Sequence, residues 1–303
     1  MPIGRLERSE FDNGIGNSGY GLGHPRGLDL RPEIPESSGQ IVGIDLTHIL
    51  HTDEVAAARG GGGGGGSGGG GGTTSPFAPY TSGGDSSGFN ITIEFKGTWT
   101  LEYYNIFVAA AEMFSDLIIG DLQNVSVRSR GTITNIDDIL ITAELGQIDG
   151  LYGILGQAGP TALRTSNSLP ATATMKFDIA DVNDMGLAAF TDVVIHEMAH
   201  SLGFGSIWSR LGLVENGVYT GDNAFAEYLA LGGSGSGIPV EQDGGSGTAG
   251  SHWDEETFDN ELLTGYINEG DNPFSEMSAA SFADLGYTLA SNYGGVAEPY
   301  MIV

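Results

Sequence analysis

The sequence from residue 190 to residue 203 reads FTDVVIHEMAHSLG, and it decides how the surrounding domain is organised. The stretch has no proline and no glycine before Gly203, so it predicts a helix over residues 190–202 that ends at this glycine. In a helix with 3.6 residues per turn, positions four apart lie on the same face. The rings of His196 and His200 can therefore reach one metal ion from one side.

Glu197 follows the first of these histidines and completes the pattern His-Glu-x-x-His. A glutamate at this position can contact a water molecule on the metal and act as its general base. Catalytic zinc takes three protein ligands and keeps one position open, so the helix alone does not complete a site. A third ligand has to come from elsewhere in the chain.

Two schemes for this third ligand remain open at this point. In a thermolysin-like peptidase it is a glutamate on a later helix, and Glu227 lies at a tolerable distance, although Leu231 stands where an orienting aspartate is expected. In a metzincin a glycine three residues after the second histidine, here Gly203, turns the chain toward a third histidine. The simple metzincin form needs histidine at position 206, where this chain has Ser206, so an insertion would have to precede the third histidine.

Three stretches resemble leishmanolysin and its bacterial relatives: HEMAHSLGFGSIW at 196–208, GTAGSHWDE at 247–255 and SEMSAASFADLGY at 275–287. A looser resemblance covers most of residues 90–290. It implies a metzincin-like zincin fold and a zinc-dependent endopeptidase that hydrolyses extended polypeptides along a sheet edge supplied by residues 155–178. By this resemblance the site residues are the zinc ligands His196, His200 and His252, the base Glu197, the helix-ending Gly203 and the methionine-turn residue Met277.

The chain departs from this family in its cysteine content. Leishmanolysin-like enzymes carry many disulfides and a pro-segment cysteine that caps the zinc, whereas this chain has no cysteine. Latency through a thiolate is therefore excluded. A second reading, in which the fold is a zinc-containing scaffold for adhesion, is less favoured because Glu197 is retained.

Composition divides the chain into three parts. Residues 1–58 are polar and turn-rich, and we interpret them as a possible pro-segment. Residues 59–87 contain the glycine runs 60–66 and 68–72 and predict a disordered linker, because such a chain loses much backbone entropy on folding and buries little. Residues 88–303 carry the apolar patterns of a folded catalytic domain.

The pattern after the linker predicts an α+β fold. Its N-terminal half is expected to hold a twisted mixed sheet and the active-site helix, and its C-terminal half to be rich in loops with one helix at residues 278–285. Gly286 follows that helix and is expected to end it. The other predicted elements are strands near residues 90–95, 125–128, 138–143 and 172–177 and a helix at 101–119.

Acidic residues outnumber basic ones by 39 to 11, which gives a net charge of −28. This excess argues against binding to nucleic acid or to anionic membranes, since both require a positive surface. Carboxylates are ligands for hard cations, so Asp178, Asp181 and Asp184, or residues 254–256, could bind Ca²⁺.

The chain has no run of about 18 apolar residues that could span a membrane. Its first residues lack the apolar core of a signal peptide. We nevertheless expect an extracellular bacterial protein, as the resemblance implies, with protein or peptide substrates and a monomeric state.

Overall fold

The computed structural model describes residues 4–8, 77–84, 88–129, 131–245 and 247–302. Most of the polar segment 1–58 and most of the predicted linker 59–87 therefore lie outside the described residues. The described elements are mixed α and β, as the sequence predicts.

Twelve strands occur in the described part of the chain, and seven of them form one mixed, twisted sheet. In chain order they are β1 (Gly4–Arg8), β2 (Tyr80–Thr81), β3 (Ile91–Lys96), β4 (Val125–Ser129), β5 (Thr132–Ile136), β6 (Ile139–Gly146), β7 (Ile154–Leu163), β8 (Pro170–Asp178), β9 (Val214–Glu215), β10 (Val218–Tyr219), β11 (Ile238–Pro239) and β12 (Tyr266–Ile267). The large sheet has the order β12-β1-β7-β8-β6-β3-β2. Strands β4 and β5 form a separate hairpin, and β9, β10 and β11 form a small sheet.

Seven α-helices accompany these strands within the described residues. They are α1 (Leu101–Leu117), α2 (Ile179–Asp184), α3 (Leu187–Ser201), α4 (Trp208–Leu211), α5 (Asp222–Ala230), α6 (Glu255–Phe258) and α7 (Glu276–Leu285), followed by a 3-10 segment at Ser291–Gly295. No helix in the described ranges has both the length and the apolar character needed to cross a bilayer.

The centre of the sheet is parallel. Strands β3, β6 and β8 run side by side in the same direction, and β7 is antiparallel to β8. The alternation in β3 buries Ile91, Ile93 and Phe95 and leaves the residues between them more exposed. Helix α1 then covers the sheet, and its N-terminus is capped by Thr100, whose hydroxyl accepts a hydrogen bond from the N–H of Tyr103.

An aromatic cluster joins the sheet to helices α1 and α3. Phe107 of α1, Phe177 of β8 and Phe190 of α3 are fully buried and meet edge to face, with ring centroids 5.4 to 6.1 Å apart. Each such pair contributes about 0.5–1.5 kcal/mol beyond the area it buries. Because α3 is packed against β7 and β8, its position relative to the sheet is fixed.

The C-terminal half contains more regular structure than the sequence predicts. The expectation of one helix in this half is wrong, since α4, α5 and α6 precede α7. Glycine-rich stretches on both sides of α5 hide its short apolar pattern, and its burial of Ala224 and Tyr228 stabilises it. Helix α7 itself matches the prediction and ends at Gly286 with a φ of 109°.

The folded part also begins earlier than residue 88. Tyr80 and Thr81 pair with β3, Ser82 is buried, and the ring of Phe77 stacks on that of Tyr104 at 4.6 Å. These aromatic contacts provide buried apolar surface that glycine and serine cannot provide. Residues 77–84 therefore belong to the folded part and not to the expected linker.

A candidate metal centre

Three histidine rings converge on one point in the interior. The Nε2 atoms of His196 and His200 are 2.9 Å apart, and the Nε2 atom of His252 lies 3.1 Å from the first and 2.9 Å from the second. All three side chains have no solvent exposure. The structure thus brings together the two histidines of the helix motif and the one that the family resemblance added.

Helix α3 positions two of these rings, and the turn after it orients one of them. Gly203 follows the helix with a φ of 115°, a conformation that other residues rarely adopt. This turn brings the carbonyl of Phe204 to 2.9 Å from Nδ1 of His200. The helix-ending glycine that the sequence predicts therefore lies where it is needed to hold a histidine ring.

Each ring is held from behind by a backbone carbonyl. Nδ1 of His196 donates to the carbonyl of Leu262 at 2.8 Å, and Nδ1 of His252 donates to that of Thr248 at 2.9 Å. A carbonyl oxygen only accepts hydrogen bonds, so Nδ1 carries the proton in all three rings and Nε2 presents its lone pair. This tautomer is the one that binds a metal through Nε2.

The three lone pairs point at one another, which is unfavourable unless a cation lies between them. A tetrahedral zinc ion with Zn–N distances of about 2.0–2.1 Å requires nitrogens about 3.3 Å apart, so separations of 2.9 to 3.1 Å need only a small expansion. Burial, and then the proximity of His252, lowers the pKa of His196 well below its ordinary value. The donor set therefore fits a zinc ion bound by three neutral imidazoles.

Glu197 lies beside the first histidine on α3 and is fully buried. Neither of its carboxylate oxygens has a hydrogen-bond partner among the described residues, and burial raises its pKa well above the ordinary value. A buried carboxyl without protein partners is costly. It suits a group whose hydrogen bonds are made to a reacting molecule instead of the protein.

Strand β7 passes directly over this carboxyl group. A Cβ atom added to Gly156 of β7 would lie 2.6 Å from Oε1 of Glu197 and 2.9 Å from its Cδ. Only a residue without a side chain lets the strand approach so closely. Gly156 is thus a site residue that the sequence analysis did not identify.

The expected free edge of the sheet is itself paired. Residues 155–178 were expected to supply that edge, and β7 and β8 do form an antiparallel pair there. However, the outer side of β7 is paired in parallel with β1, and β1 is paired in turn with β12. Residue 6 lies opposite Gly156, so the N-terminal strand runs past the point where β7 meets Glu197.

Two other residues named from the sequence lie in α5 and α7. Met277 is fully buried in the first turn of α7. Glu227 belongs to α5, and its carboxylate accepts a hydrogen bond from the hydroxyl of Tyr293. Among the described residues, the group that includes the three histidines does not include Glu227.

Carboxylates lie close together at one of the two places where the sequence suggests a calcium site. Asp178 and Asp181 lie near Asp149, with one oxygen from each within 4.8 Å of the others, whereas Asp184 and residues 254–256 form no such group in the described ranges. Asp178 already accepts the N–H groups of Ile148, Asp149, Gly150 and Ala180. The first three of these bonds hold the loop before β7 and the fourth caps α2, and we assign no ion to this cluster.

Comparison with known proteins agrees with the family resemblance. The family profile described as leishmanolysin matches residues 234–298, a stretch that includes His252 and Met277. A leishmanolysin homolog of Crithidia fasciculata is 27% identical over an alignment of 173 residues, and the match covers 52% of this chain. The alignment spans 26% of that relative, so the chain corresponds to about a quarter of its length. The resemblance to leishmanolysin is confirmed by these two matches.

Proposed function

We propose that this chain is a zinc-dependent endopeptidase of the metzincin type, with a zinc ion held by His196, His200 and His252. The observation that carries the proposal is the convergence of three buried Nε2 atoms within 3.1 Å of one another, each on a ring whose Nδ1 is bonded to a carbonyl. The similarity to leishmanolysin supports the same assignment.

Zinc in such a site lowers the pKa of a bound water and polarises the carbonyl of the peptide bond. Glu197 takes a proton from the attacking water and passes it to the departing amine, so that one carboxyl serves as base and then as acid. Glu197 is buried, and its two oxygens have no hydrogen-bond partner among the described residues, so both are available for this transfer. The carbonyls behind the three rings hold them in one orientation throughout the reaction.

Three variants and the wild-type chain test the assignment. The wild type should bind one zinc ion and hydrolyse casein in a reaction that phenanthroline stops. Glu197→Gln should keep the zinc and lose several orders of magnitude in kcat. His252→Ala should lose zinc, whereas the matched variant Glu227→Ala should keep it. Near-normal activity in Glu197→Gln would refute the role of that residue. Loss of zinc in Glu227→Ala with zinc retained in His252→Ala would refute the ligand assignment.

The same experiments separate the two alternative functions. A thermolysin-like peptidase would need Glu227 for zinc binding, and the hydrogen bond from Tyr293 to this residue favours a structural role instead. A zinc-containing adhesion scaffold would bind the metal without hydrolysing casein. Retention of Glu197 beside the histidines favours the peptidase.

For the substrate we propose an extended polypeptide that pairs with β7. An added strand gains main-chain hydrogen bonds whatever its side chains are, which suits an enzyme that cleaves many sequences. The chain itself provides an example, since β1 pairs with β7 on one side and with β12 on the other. A substrate in the place of β1, between β7 and β12, would pass the same point, opposite Gly156 and next to Glu197.

The position of β1 supports the interpretation of the N-terminal segment as a pro-segment. Its backbone lies between β7 and β12 and contacts α3, so a substrate cannot pair with this side of β7 until the strand leaves. Because the chain has no cysteine, a pro-segment thiolate cannot bind the zinc, and inhibition by this segment would instead act through its pairing with β7. We therefore propose that removing the N-terminal segment activates the enzyme.

This proposal is tested by comparing the full chain with one that lacks its first eight residues. The shortened chain should have a higher kcat/KM on a long peptide with the same zinc content, and a synthetic peptide of residues 1–10 should inhibit it competitively. A peptide with the same residues in scrambled order is the control. Equal activity of the two chains would contradict the pro-segment role and leave the metal site unaffected.

The resemblance also leads us to propose an extracellular protein with protein or peptide substrates. The strongly acidic composition argues against nucleic acid or anionic membranes as partners. The monomeric state stays a prediction.

A further inference from the structure

Glu261 is a fully buried carboxylate that the peptidase mechanism does not use. It follows α6 and lies in the segment that leads to β12. Its Oε2 accepts the N–H of Leu263 at 2.7 Å. Its Oε1 accepts the N–H of Ser275 at 3.1 Å, the hydroxyl of Ser275 at 2.6 Å and the hydroxyl of Ser278. Four donors therefore surround this one side chain.

The segment that Glu261 fixes contacts one of the proposed ligands and the residue that follows another. The carbonyl of Leu262 accepts the hydrogen bond from Nδ1 of His196 at 2.8 Å. The carbonyl of Leu263 accepts the N–H of Trp253 at 3.0 Å, and Trp253 follows His252 directly. The conformation of two adjacent peptide units thus affects both ligands.

The other side of the carboxylate is attached to the start of α7. Ser275 caps this helix by accepting the N–H of Ser278, and Met277 lies between them in the chain. The hydroxyl of Ser278 also accepts the indole N–H of Trp253 at 2.8 Å. A negative charge at the N-terminus of a helix is stabilised by the exposed N–H groups and the helix dipole. Glu261 is therefore well suited to join α7 to the segment around Leu262.

We propose that Glu261 is a positioning residue for the zinc site, which holds the carbonyl of Leu262 against His196 and keeps Trp253 and α7 in register with His252. This inference rests on the proposed function, because it concerns the metal of that site. Glu261 reaches neither the Nε2 atoms nor the substrate in the described contacts. It acts through the backbone that orients the ligands, and such outer contacts typically change metal affinity about 10–100-fold when they are removed.

The test is the variant Glu261→Gln, which keeps the shape of the side chain and replaces one oxygen by an NH₂ group. That NH₂ group must face either the N–H of Leu263 or the donors of Ser275 and Ser278, so at least one hydrogen bond is lost whichever way the amide turns. Zinc affinity measured by competition with a chelator should fall about 10–100-fold. The visible spectrum of the cobalt-substituted protein should shift, since the geometry of the imidazoles changes.

A matched control is Asp138→Asn. Asp138 is also buried, at 1% exposure, and accepts the N–H groups of Asn90 and Leu122, neither of which belongs to the metal centre. The Asp138→Asn variant should have the zinc affinity and the cobalt spectrum of the wild type, even if its melting temperature changes. If Glu261 had a purely structural role, Glu261→Gln and Asp138→Asn would have the same zinc affinity when their losses of stability are equal. That result would overturn the proposal.

A milder variant keeps the test decisive if Glu261→Gln does not fold. Ser278→Ala removes one of the four hydrogen bonds to Glu261, together with the acceptor for the indole N–H of Trp253, and should weaken zinc binding by a smaller factor. Unchanged zinc affinity in a folded Ser278→Ala protein would then overturn the positioning role. Failure of the wild type itself to bind zinc would overturn the proposed function, whereas zinc binding that no Glu261 or Ser278 variant alters would overturn the positioning role alone.

Discussion

Replacing Gly156 by alanine adds one methyl group at the closest approach of the sheet to Glu197. The new Cβ atom would lie 2.6 Å from Oε1, whereas ordinary contacts begin at 3.4 Å. The carboxyl group must therefore move by about 0.8 Å, the difference between these two distances, because the backbone of β7 is held by its pairing with β8. Cγ and Cδ of Glu197, each 2.9 Å from the new atom, must move with it, and a glutamate side chain can do so by rotating about its own single bonds.

The cost in activity should be much larger. Misplacing a catalytic group by about 1 Å lowers the rate about 100-fold, which corresponds to about 2.7 kcal/mol of transition-state stabilisation. We expect Gly156→Ala to fold, to keep its zinc and to lose about 100-fold in kcat/KM. The measurements are peptide hydrolysis with an internally quenched substrate, metal content and the melting temperature.

Gly146→Ala is the control for this prediction. A Cβ atom there would lie 3.6 Å from Cε of Lys176 and 3.8 Å from Oε1 of Glu144, which are ordinary contacts. This variant should match the wild type in all three measurements. Wild-type kcat/KM in Gly156→Ala would show that the position of Glu197 does not limit the reaction, and loss of zinc would show that the change acts through the ligands.

Three further predictions concern stability. Burial raises the pKa of Asp138 to about 6, so the protonated carboxyl stabilises the fold fully below about pH 4, where this group is also protonated in the unfolded chain, and this contribution is lost as the pH rises to about 6. Urea unfolding at several pH values should show the loss of stability, and the Asp138→Asn variant should not show it. Gly203→Ala should lower the melting temperature by about 2–8 °C, because a left-handed φ costs an alanine about 1–2 kcal/mol. Removing zinc should lower the free energy of unfolding by about 4 kcal/mol at a free zinc concentration 1,000 times the Kd, and a melting temperature that does not respond to zinc would contradict the site.

The sequence predicts the features that depend on neighbouring residues. Helical periodicity brings His196 and His200 to one face, and a glycine after the last turn predicts where the helix ends. The alternation of β3 and the long apolar pattern of α1 are local in the same way. For these elements the predicted and observed bounds differ by at most three residues, and the largest difference is at α3, which begins at Leu187 instead of position 190.

Features that depend on distant contacts could not be predicted from such patterns. Strand β7 contains Gly156, Gly159 and Pro160, which argue against a strand, and pairing with β8 over most of its length stabilises it nevertheless. Glu261 lies in a stretch crowded with acidic residues that suggests a solvated loop, and its burial follows only from the four donors around it. His252 lies 52 residues after His200, and only the resemblance to leishmanolysin indicated its role.

The nature of the contacts behind the rings explains why sequence is a limited guide to this site. Phe204, Thr248 and Leu262 each contribute a main-chain carbonyl, so no side-chain type at these positions is required by the chemistry. The required geometry is a property of the backbone, which is set by residues that control its path. Gly203 does this by its left-handed conformation and Glu261 by its hydrogen bonds. Substitutions should therefore affect the metal most at residues that shape the backbone, even where these residues do not touch a histidine ring.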